Sequence, residues 1–396
     1  MNEKLTPRER VLTALRHQQP DRTPVDFLAT NEIWHGLLKE LQIDDEGVEP
    51  SAFYEAKKEA LLRHFEVDMR LLSYDMFCAP PESKLRPGAK IEWWDVFSRS
   101  TPNRMWRQVT PEGDLYGIFG RHWRVVHHAM GAYEENATSP LAPYADSVEH
   151  LKQFDWPEPD WWDFSPIPEI MAQLDRHEAY HIRFRIGSVF EIAWQLRGMA
   201  EFLMEMAIAP QITTYIMERI TDILVENTRR VLEIAGDRLD MVYFYDDVAV
   251  NANLMISKQM WEQQIRPCHA RLIEVARQYD KPVMYHCDGS IRKLIPELID
   301  MGVDLLNPIQ PTATGMDPRE LKDEFGERLS FHGGIDIMQT LPSGTPEQVQ
   351  AEVEDRVCVL GENGGYVMCS SHHIQPDTPI DNVLAMYDLD IRTCKQ

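Results

Sequence analysis

The sequence predicts an α/β protein: a (β/α)8 TIM barrel with an antiparallel β excursion inserted in its N-terminal third. Three observations lead there. Short runs rich in β-branched and aromatic residues alternate with longer segments of helical periodicity. Eight such runs are found along the chain, which suits a closed ring of parallel strands. No G-x-G-x-x-G or G-x-x-x-x-G-K-[ST] sequence follows any of them, which argues against the phosphate sites of an open doubly wound sheet, the alternative architecture.

The elements follow in order. "TPRERVLTALRH" opens with a helix: Thr6 suits the N-cap, and Pro7 suits N1, where its missing N–H removes no bond. "TPVDFL" reads as the first strand and "MRLLSYD" (69–75) as the second. From about 84 to 145 the pattern changes to short β-type runs broken by Pro, Gly and Asp: "IEWWDVFSRS", "RMWRQVT", "LYGIFG" and "HWRVVHH". This excursion is expected to cover the site as a lid or to build a homodimer contact, and Trp93, Trp94, Trp106 and Trp123 suit either. "SVEHLKQFDWPEPDWWDF" brings the chain back through a helix and a Trp/Pro-rich loop. Six strands complete the set: "HIRFRIGS" (181–188), "DMVYFYDD" (240–247), "PVMYHCDG" (282–289), "VDLLNPIQ" (303–310), "LSFHGGID" (329–336) and "GYVMCSSHH" (365–373). Amphipathic stretches such as "MWEQQIRPCHARLIEVARQYD" and "TPEQVQAEVEDRVCVLG" separate most of them. Residues 1–396 read as a single domain carrying the insertion.

A formal net charge of −24 argues against nucleic acid or an anionic membrane surface as partner, since both require basic patches. The cysteines Cys78, Cys268, Cys287, Cys358, Cys369 and Cys394 are scattered, with no C-x-x-C pair. That pattern suits reduced thiols in a cytoplasmic protein. The charged start "MNEKLTPRERV" lacks the apolar core of a secretory leader, and no apolar run approaches the ~20 residues that span a bilayer.

Function in such a barrel collects at the C-terminal ends of the strands. Those ends supply Asp75, Glu191, Asp246, Asp247, His286, Asp288, Gln310, His332, Asp336, His372 and His373. Within "YHCDGS", His286 and Asp288 stand two apart, so on a strand both face one side while Cys287 faces the other. Imidazole and carboxylate at this spacing can grip one divalent ion, and His372 or His373 can close a two-His-one-carboxylate set suited to Zn²⁺ or Fe²⁺. The competing reading has His286 bonded to a backbone carbonyl and Asp288 capping the next helix. Asp246 and Asp247 point to opposite faces, so only one can enter the site, and the other caps a helix or pairs with an arginine. Cys369 suits a small buried apolar residue better than a nucleophile. The glycines after His332 suggest a tight turn or a close backbone approach to a ligand. "WEQQIRPCHARL" reads as core.

Five segments together resemble the uroporphyrinogen decarboxylase superfamily over nearly the whole chain: "LTPRERVLTALRHQQPDRTPVDF", "PLAPYADSVEHLKQFDWPEPD", "HCDGSIRKLIPELIDMGVDLLNPIQP", "FHGGIDIMQTLPSGTPEQV" and "GGYVMCSSHHIQPDTPIDNVLAMYD". The resemblance implies the same barrel. True decarboxylases of this superfamily carry an Arg-Gln-Ala-Gly-Arg loop after the first strand, where the arginines hold an acidic porphyrinogen. Here "VDFLATNEIWHGLLKEL" contains no arginine, so Asp75, although it could match the catalytic aspartate, has lost that context. The other branch, the cobamide-dependent methyltransferases, holds zinc with a His-x-Cys pair and a later Cys. This chain matches the histidine with His286, and its segments place Asp288 and His372 where the two cysteines would be. Exchanging both thiolates for harder ligands gives an ion better suited to polarising a methoxy oxygen or an amine than to activating a thiol.

The resemblance therefore implies a metal-dependent methyltransferase that moves a methyl group between a small substrate and a corrinoid (or folate) carrier. The divalent metal, zinc by this comparison, would be held by His286, Asp288 and His372. Asp247 would act as proton donor or as a further ligand, Glu191 as a second catalytic group, and Asp75, Gln310 and His332 would bind the substrate. No D-x-H-x-x-G corrinoid signature is found in the sequence, so a partner protein is expected to bring the corrinoid. The alternative is a carboxy-lyase acting on a porphyrinogen or another acid, which requires basic residues at the mouth; Arg183, Arg185 and Arg197 are the candidates.

Overall fold

The structure is a computed structural model and describes residues 4–43, 55–73, 76, 80–94, 101, 105–117, 119–128 and 131–394. Its strands, in chain order, are β1 (Met69–Ser73), β2 (Lys90–Trp94), β3 (Met105–Val109), β4 (Leu115–Tyr116), β5 (His122–His128), β6 (Gly131–Thr138), β7 (His181–Gly187), β8 (Met241–Tyr245), β9 (Val283–His286), β10 (Leu305–Ile309), β11 (Ser330–Ile335) and β12 (Tyr366–Ser370). Seven of them form one parallel sheet in the order β1-β7-β8-β9-β10-β11-β12. All six late runs singled out in the sequence are strands of it. Their near-continuous burial is what a parallel sheet covered on both faces demands.

The run "TPVDFL" lies between the two edges of that sheet. Met368 N donates to Pro24 O and Asp26 N to Met368 O, both at 2.9 Å, while on the other side Asp68 N donates to Val25 O at 2.9 Å. It forms one isolated parallel bridge, Val25 to Met368, with a second just past it, Ala29 to Ile374, so the regular sheet has seven members where eight strands were expected. Two local features interrupt the ladder. Pro24 has no N–H, and the Phe27 N–H is taken by the Asp26 carboxylate at 2.9 Å. Asp68 ties this segment to β1: with no exposed surface, it accepts from Arg10, from Arg22 Nη1 at 2.7 Å and from Val25 N at 2.8 Å.

Helices fill the connections. Pro7–Leu15 starts with the expected Thr6 cap and Pro7, completed as a capping box by Glu9. Pro346–Leu360 uses the same device, with Thr345 and Gln348. The segment read as one helix after β8 is instead Lys258–Met260, a π-helical turn Trp261–Ile265, and Arg266–Arg277. Pro267 cannot donate to the carbonyl four residues back, and the wider turn absorbs the missing bond.

The excursion is a five-stranded antiparallel sheet, β2-β3-β4-β5-β6, separate from the parallel one. Trp106 and Trp123 are buried, with the Arg121 guanidinium 4.7 Å from the Trp123 ring, so these two serve the packing of the insertion itself. The side chain of Trp94 falls outside the described residues.

Cys358 and Cys394 are joined by a disulfide across 36 residues, which corrects the expectation that every thiol is reduced. The C-terminal segment folds back over the helix Pro346–Leu360 and is held there by Thr23 N donating to Arg392 O at 2.9 Å, which brings the two Cα atoms within 4.9 Å. Cys268, Cys287 and Cys369 are free and buried, and Cys78 lies outside the described residues. Among the described residues no helix is long and apolar enough to cross a membrane.

His181, the first residue of β7, has no exposed surface, and neither ring nitrogen has a hydrogen-bond partner among the described residues. Burial pushes its pKa down from 6.5 to about 4, with Arg183 and Arg8 adding to the shift and Asp240 and Asp26 opposing it. The folded state therefore resists a proton that the unfolded chain accepts. Above pH 6.5 the group is neutral in both states; as pH falls from 6.5 toward 4, folding loses roughly 3 kcal/mol through this residue. Urea unfolding of the wild type and His181→Leu across that window should show the wild type declining more steeply. Equal slopes would remove His181 as the cause.

Candidate functional site

The site is assembled from the ends of three parallel strands. β9 ends at His286, and its neighbour β8 ends at Tyr245, just before Asp246 and Asp247; β12 ends at Ser370, two residues before His372. Asp288 lies between the two histidines. Its Oδ1 is 3.6 Å from His286 Nε2 and its Oδ2 is 3.5 Å from His372 Nε2. One ligand atom from each of the three residues falls within 4.8 Å of the other two, and all three side chains are half-buried. His286 Nδ1 faces Asn307 Oδ1, which leaves Nε2 toward Asp288 and Asp247. Asp288 Oδ1 is buried and has no hydrogen-bond partner among the described residues. A carboxylate oxygen buried without a donor is costly unless a cation meets it. Two imidazoles and one carboxylate converging with an oxygen left over fit a divalent ion with an open coordination position.

The turn that carries Asp288 admits only glycine next. Gly289 has φ +82°, and a Cβ there would stand 2.6 Å from the Val250 carbonyl carbon. Ser290 N donates to Val250 O at 3.0 Å, and Gly289 N donates to Gln310 Oε1 at 2.9 Å.

The two adjacent aspartates divide as their alternation requires. Asp246, fully buried, accepts from His269 Nε2 at 2.7 Å and from Val189 N and Glu191 N at 3.1 and 3.0 Å, so it caps the helix Phe190–Arg197. Asp247 faces the site: its Oδ1 accepts Asp288 N at 2.8 Å and is 3.8 Å from His286 Nε2. The Glu191 carboxylate lies behind it, accepting Asp247 N at 3.4 Å. Burial pushes the Asp247 carboxyl above the usual range, against the pull of His286. Burial, then the charges of Asp247 and Asp246, push Glu191 well above it. The pair holds a proton more tightly than ordinary carboxylates do.

The family model for uroporphyrinogen decarboxylase (URO-D) matches residues 123–390. The chain belongs to the URO-D family. Among the relatives of this URO-D member is the methylated-thiol–coenzyme M methyltransferase of Methanosarcina mazei, 24% identical over 325 residues, covering 73% of this chain and 83% of that protein. A solved methyltransferase structure from Methanosarcina mazei superposes with a TM-score of 0.61 at 16% identity, covering 98% of each chain, which shows a shared fold.

Several other expected site residues of this URO-D chain are engaged within the protein. His332 has no exposed surface and both its ring nitrogens are engaged, by Asp26 Oδ2 at 2.8 Å and by Asn307 Nδ2 at 2.6 Å, so it stands behind the site and not at a substrate surface. Gln310 supports the Gly289 turn and donates to Asn251 Oδ1 at 3.2 Å. Asp336 caps the turn after β11 through Met338 N and Gln339 N. His373 is buried beside His372, and Asp75 lies outside the described residues. The arginines proposed for an acidic substrate are largely committed: Arg183 is buried in an ion pair with Asp26, Arg197 pairs with Glu205, and Arg185 donates to Ser73 Oγ at 2.9 Å. A second grouping, Asp26, His332 and Cys369, has metal-like spacing, but Arg183 already supplies its positive charge.

Sequence reading missed Asp26, Asn307 and His269. Each is a polar residue inside an apolar run that becomes fully or almost fully buried, and that was the available signal, since buried polar groups are retained where a partner awaits them.

Proposed function

We propose that the chain is a metal-dependent methyltransferase that moves a methyl group between a small substrate and a corrinoid carried by a partner protein. The proposal includes residues 1–396 as one domain, with the segment 24–30 closing the sheet into the eight-membered barrel. The observation that carries it is the buried, undonated Asp288 Oδ1 facing His286 Nε2, with His372 on its other oxygen. His286, Asp288 and His372 would hold the ion, zinc by the donor set. When bound, it would supply Lewis acidity toward a methoxy oxygen, an amine or a thiol. Asp247, at the edge of the same space, would serve as the proton donor, since burial raises its pKa and favours the protonated carboxyl. It would give that proton to the atom the methyl group leaves. Glu191, whose carboxyl accepts the Asp247 backbone N–H and is raised well above the usual range, would stand behind it as a second acid–base group. The methyltransferase relative supports this reading, as does the pairing of Arg183 and Arg197 with acids, which leaves little positive charge for a polycarboxylate.

The test is a two-substrate comparison. Zinc-loaded protein incubated with methylcobalamin and panels of small thiols, amines and phenols should convert the cobalamin spectrum. The same protein should release no carbon dioxide from uroporphyrinogen. Porphyrinogen turnover without cobalamin conversion would replace the reading with a carboxy-lyase.

A further inference from the structure

Behind His286 a line of side chains runs from the candidate site into the interior. Asn307 stands opposite His286 in the β9–β10 register and shares its face. Its Oδ1 meets His286 Nδ1, and its Nδ2 meets His332 Nδ1 at 2.6 Å. His332 Nε2 meets Asp26 Oδ2 at 2.8 Å, and Arg183 pairs with that same oxygen. Asp26 and His332 have no exposed surface, and Asn307 and Arg183 are each 2% exposed, so bulk water does not interrupt the line.

We propose that Asp26, acting through His332 and Asn307, fixes the tautomer of His286 so that its Nε2 presents a lone pair to the site. The inference rests on the reading of His286 as a metal ligand and names three positioning residues for it. The direction of each bond follows from the first. Asp26, ion-paired to Arg183, is a carboxylate that can only accept, so His332 Nε2 must donate to it. Burial holds His332 below the ordinary histidine range, with Asp26 opposing, which keeps it neutral and leaves a lone pair on Nδ1. That lone pair takes the amide N–H of Asn307, which turns the amide oxygen toward His286. His286 Nδ1 must then carry hydrogen, and Nε2 is bare. The opposite polarity would point an N–H at Asp288 and exclude a cation. A metal-binding histidine commonly has its other ring nitrogen fixed by a carboxylate or carbonyl; here an amide and a second imidazole carry that control from a carboxylate further in.

The experiment uses the full chain labelled with ¹⁵N-histidine and stripped of metal by a chelator. Long-range ¹H–¹⁵N correlations distinguish protonated from bare ring nitrogens, and zinc affinity is measured by competition with a chromogenic chelator. Expected are Nδ1–H and bare Nε2 for His286 in the wild type, and a mixture of tautomers in His332→Leu and Asn307→Leu, with zinc affinity roughly 10–100-fold weaker. In His332→Gln the single tautomer should return, because its amide can donate to Asp26 and accept from Asn307. A wild-type His286 bearing its hydrogen on Nε2 overturns the proposal, and so does an unchanged tautomer in both leucine variants. Should those variants fail to fold, the wild-type spectrum alone decides. A wild type that shows the expected tautomer but binds no zinc tells against the metal reading and leaves the relay standing.

Discussion

His286→Ala and Asp288→Ala proteins, purified alongside the wild type, should each return less than about a tenth of its metal by elemental mass spectrometry, and methyl transfer should fall by about 10²–10³-fold. The size of the effect follows from the ligand count. Three protein donors converge, and Asp288 stands between the two imidazoles, 3.6 Å from one and 3.5 Å from the other. Removing the carboxylate leaves two imidazoles whose centroids are 6.1 Å apart, without the Asp288 charge between them. Removing His286 leaves an acid and one half-buried imidazole, too few donors to compete with water. His150→Ala, on a half-buried residue of the helix Val148–Leu151, is the control and should retain full metal. Wild-type levels of metal in both site variants would place the ion elsewhere.

The second large effect is on stability. Asp68→Ala should lower the free energy of unfolding by about 3–5 kcal/mol, read as a shift of the urea midpoint at constant slope. Asp68 is wholly buried and shared by Arg10 and Arg22. Its loss leaves Arg10, itself only 2% exposed along the side chain, with Asp21 and the Leu5 carbonyl, and removes the two Arg22 bonds and the Val25 N–H acceptor together. Breaking a buried pair by deleting one partner is costly because the remaining charge cannot reach water. Asp68→Asn keeps an acceptor for Val25 and should lose less. A loss under about 1 kcal/mol in the alanine variant would mean that water reaches the arginines, as at a surface pair.

Much of the parallel sheet was legible because the six late strands are apolar runs closed by polar residues, a pattern that burial on both faces enforces. "TPVDFL" was legible as extended chain but not as an isolated bridge, since the Asp26 side chain competes with the ladder for Phe27 N–H. The Cys358–Cys394 link was not legible at all, because nothing in the spacing of 36 residues reports that the C-terminal segment folds back. In the site, the two-residue period of a strand paired His286 with Asp288; β9 ends at His286, and the turn after it brings the Asp288 carboxylate to His286 Nε2. The split between Asp246 and Asp247 followed from the same rule. His269 and Asn307 were missed for the opposite reason. Each acquires its partner only through tertiary register, His269 from a helix after the π-helical turn and Asn307 from the strand beside His286.

The pinch at Gly289 also bears on how such a site can be altered. Asp288 N is bonded to Asp247, Ser290 N to Val250, and Gly289 N to Gln310, so the ligand-bearing turn and the loop after β8 are sutured into one piece. A substitution that reshapes residues 247–251 to admit a larger substrate displaces the Asp288 carboxylate with it. Retargeting by laboratory evolution should therefore leave this wall invariant and draw its productive mutations from the opposite rim.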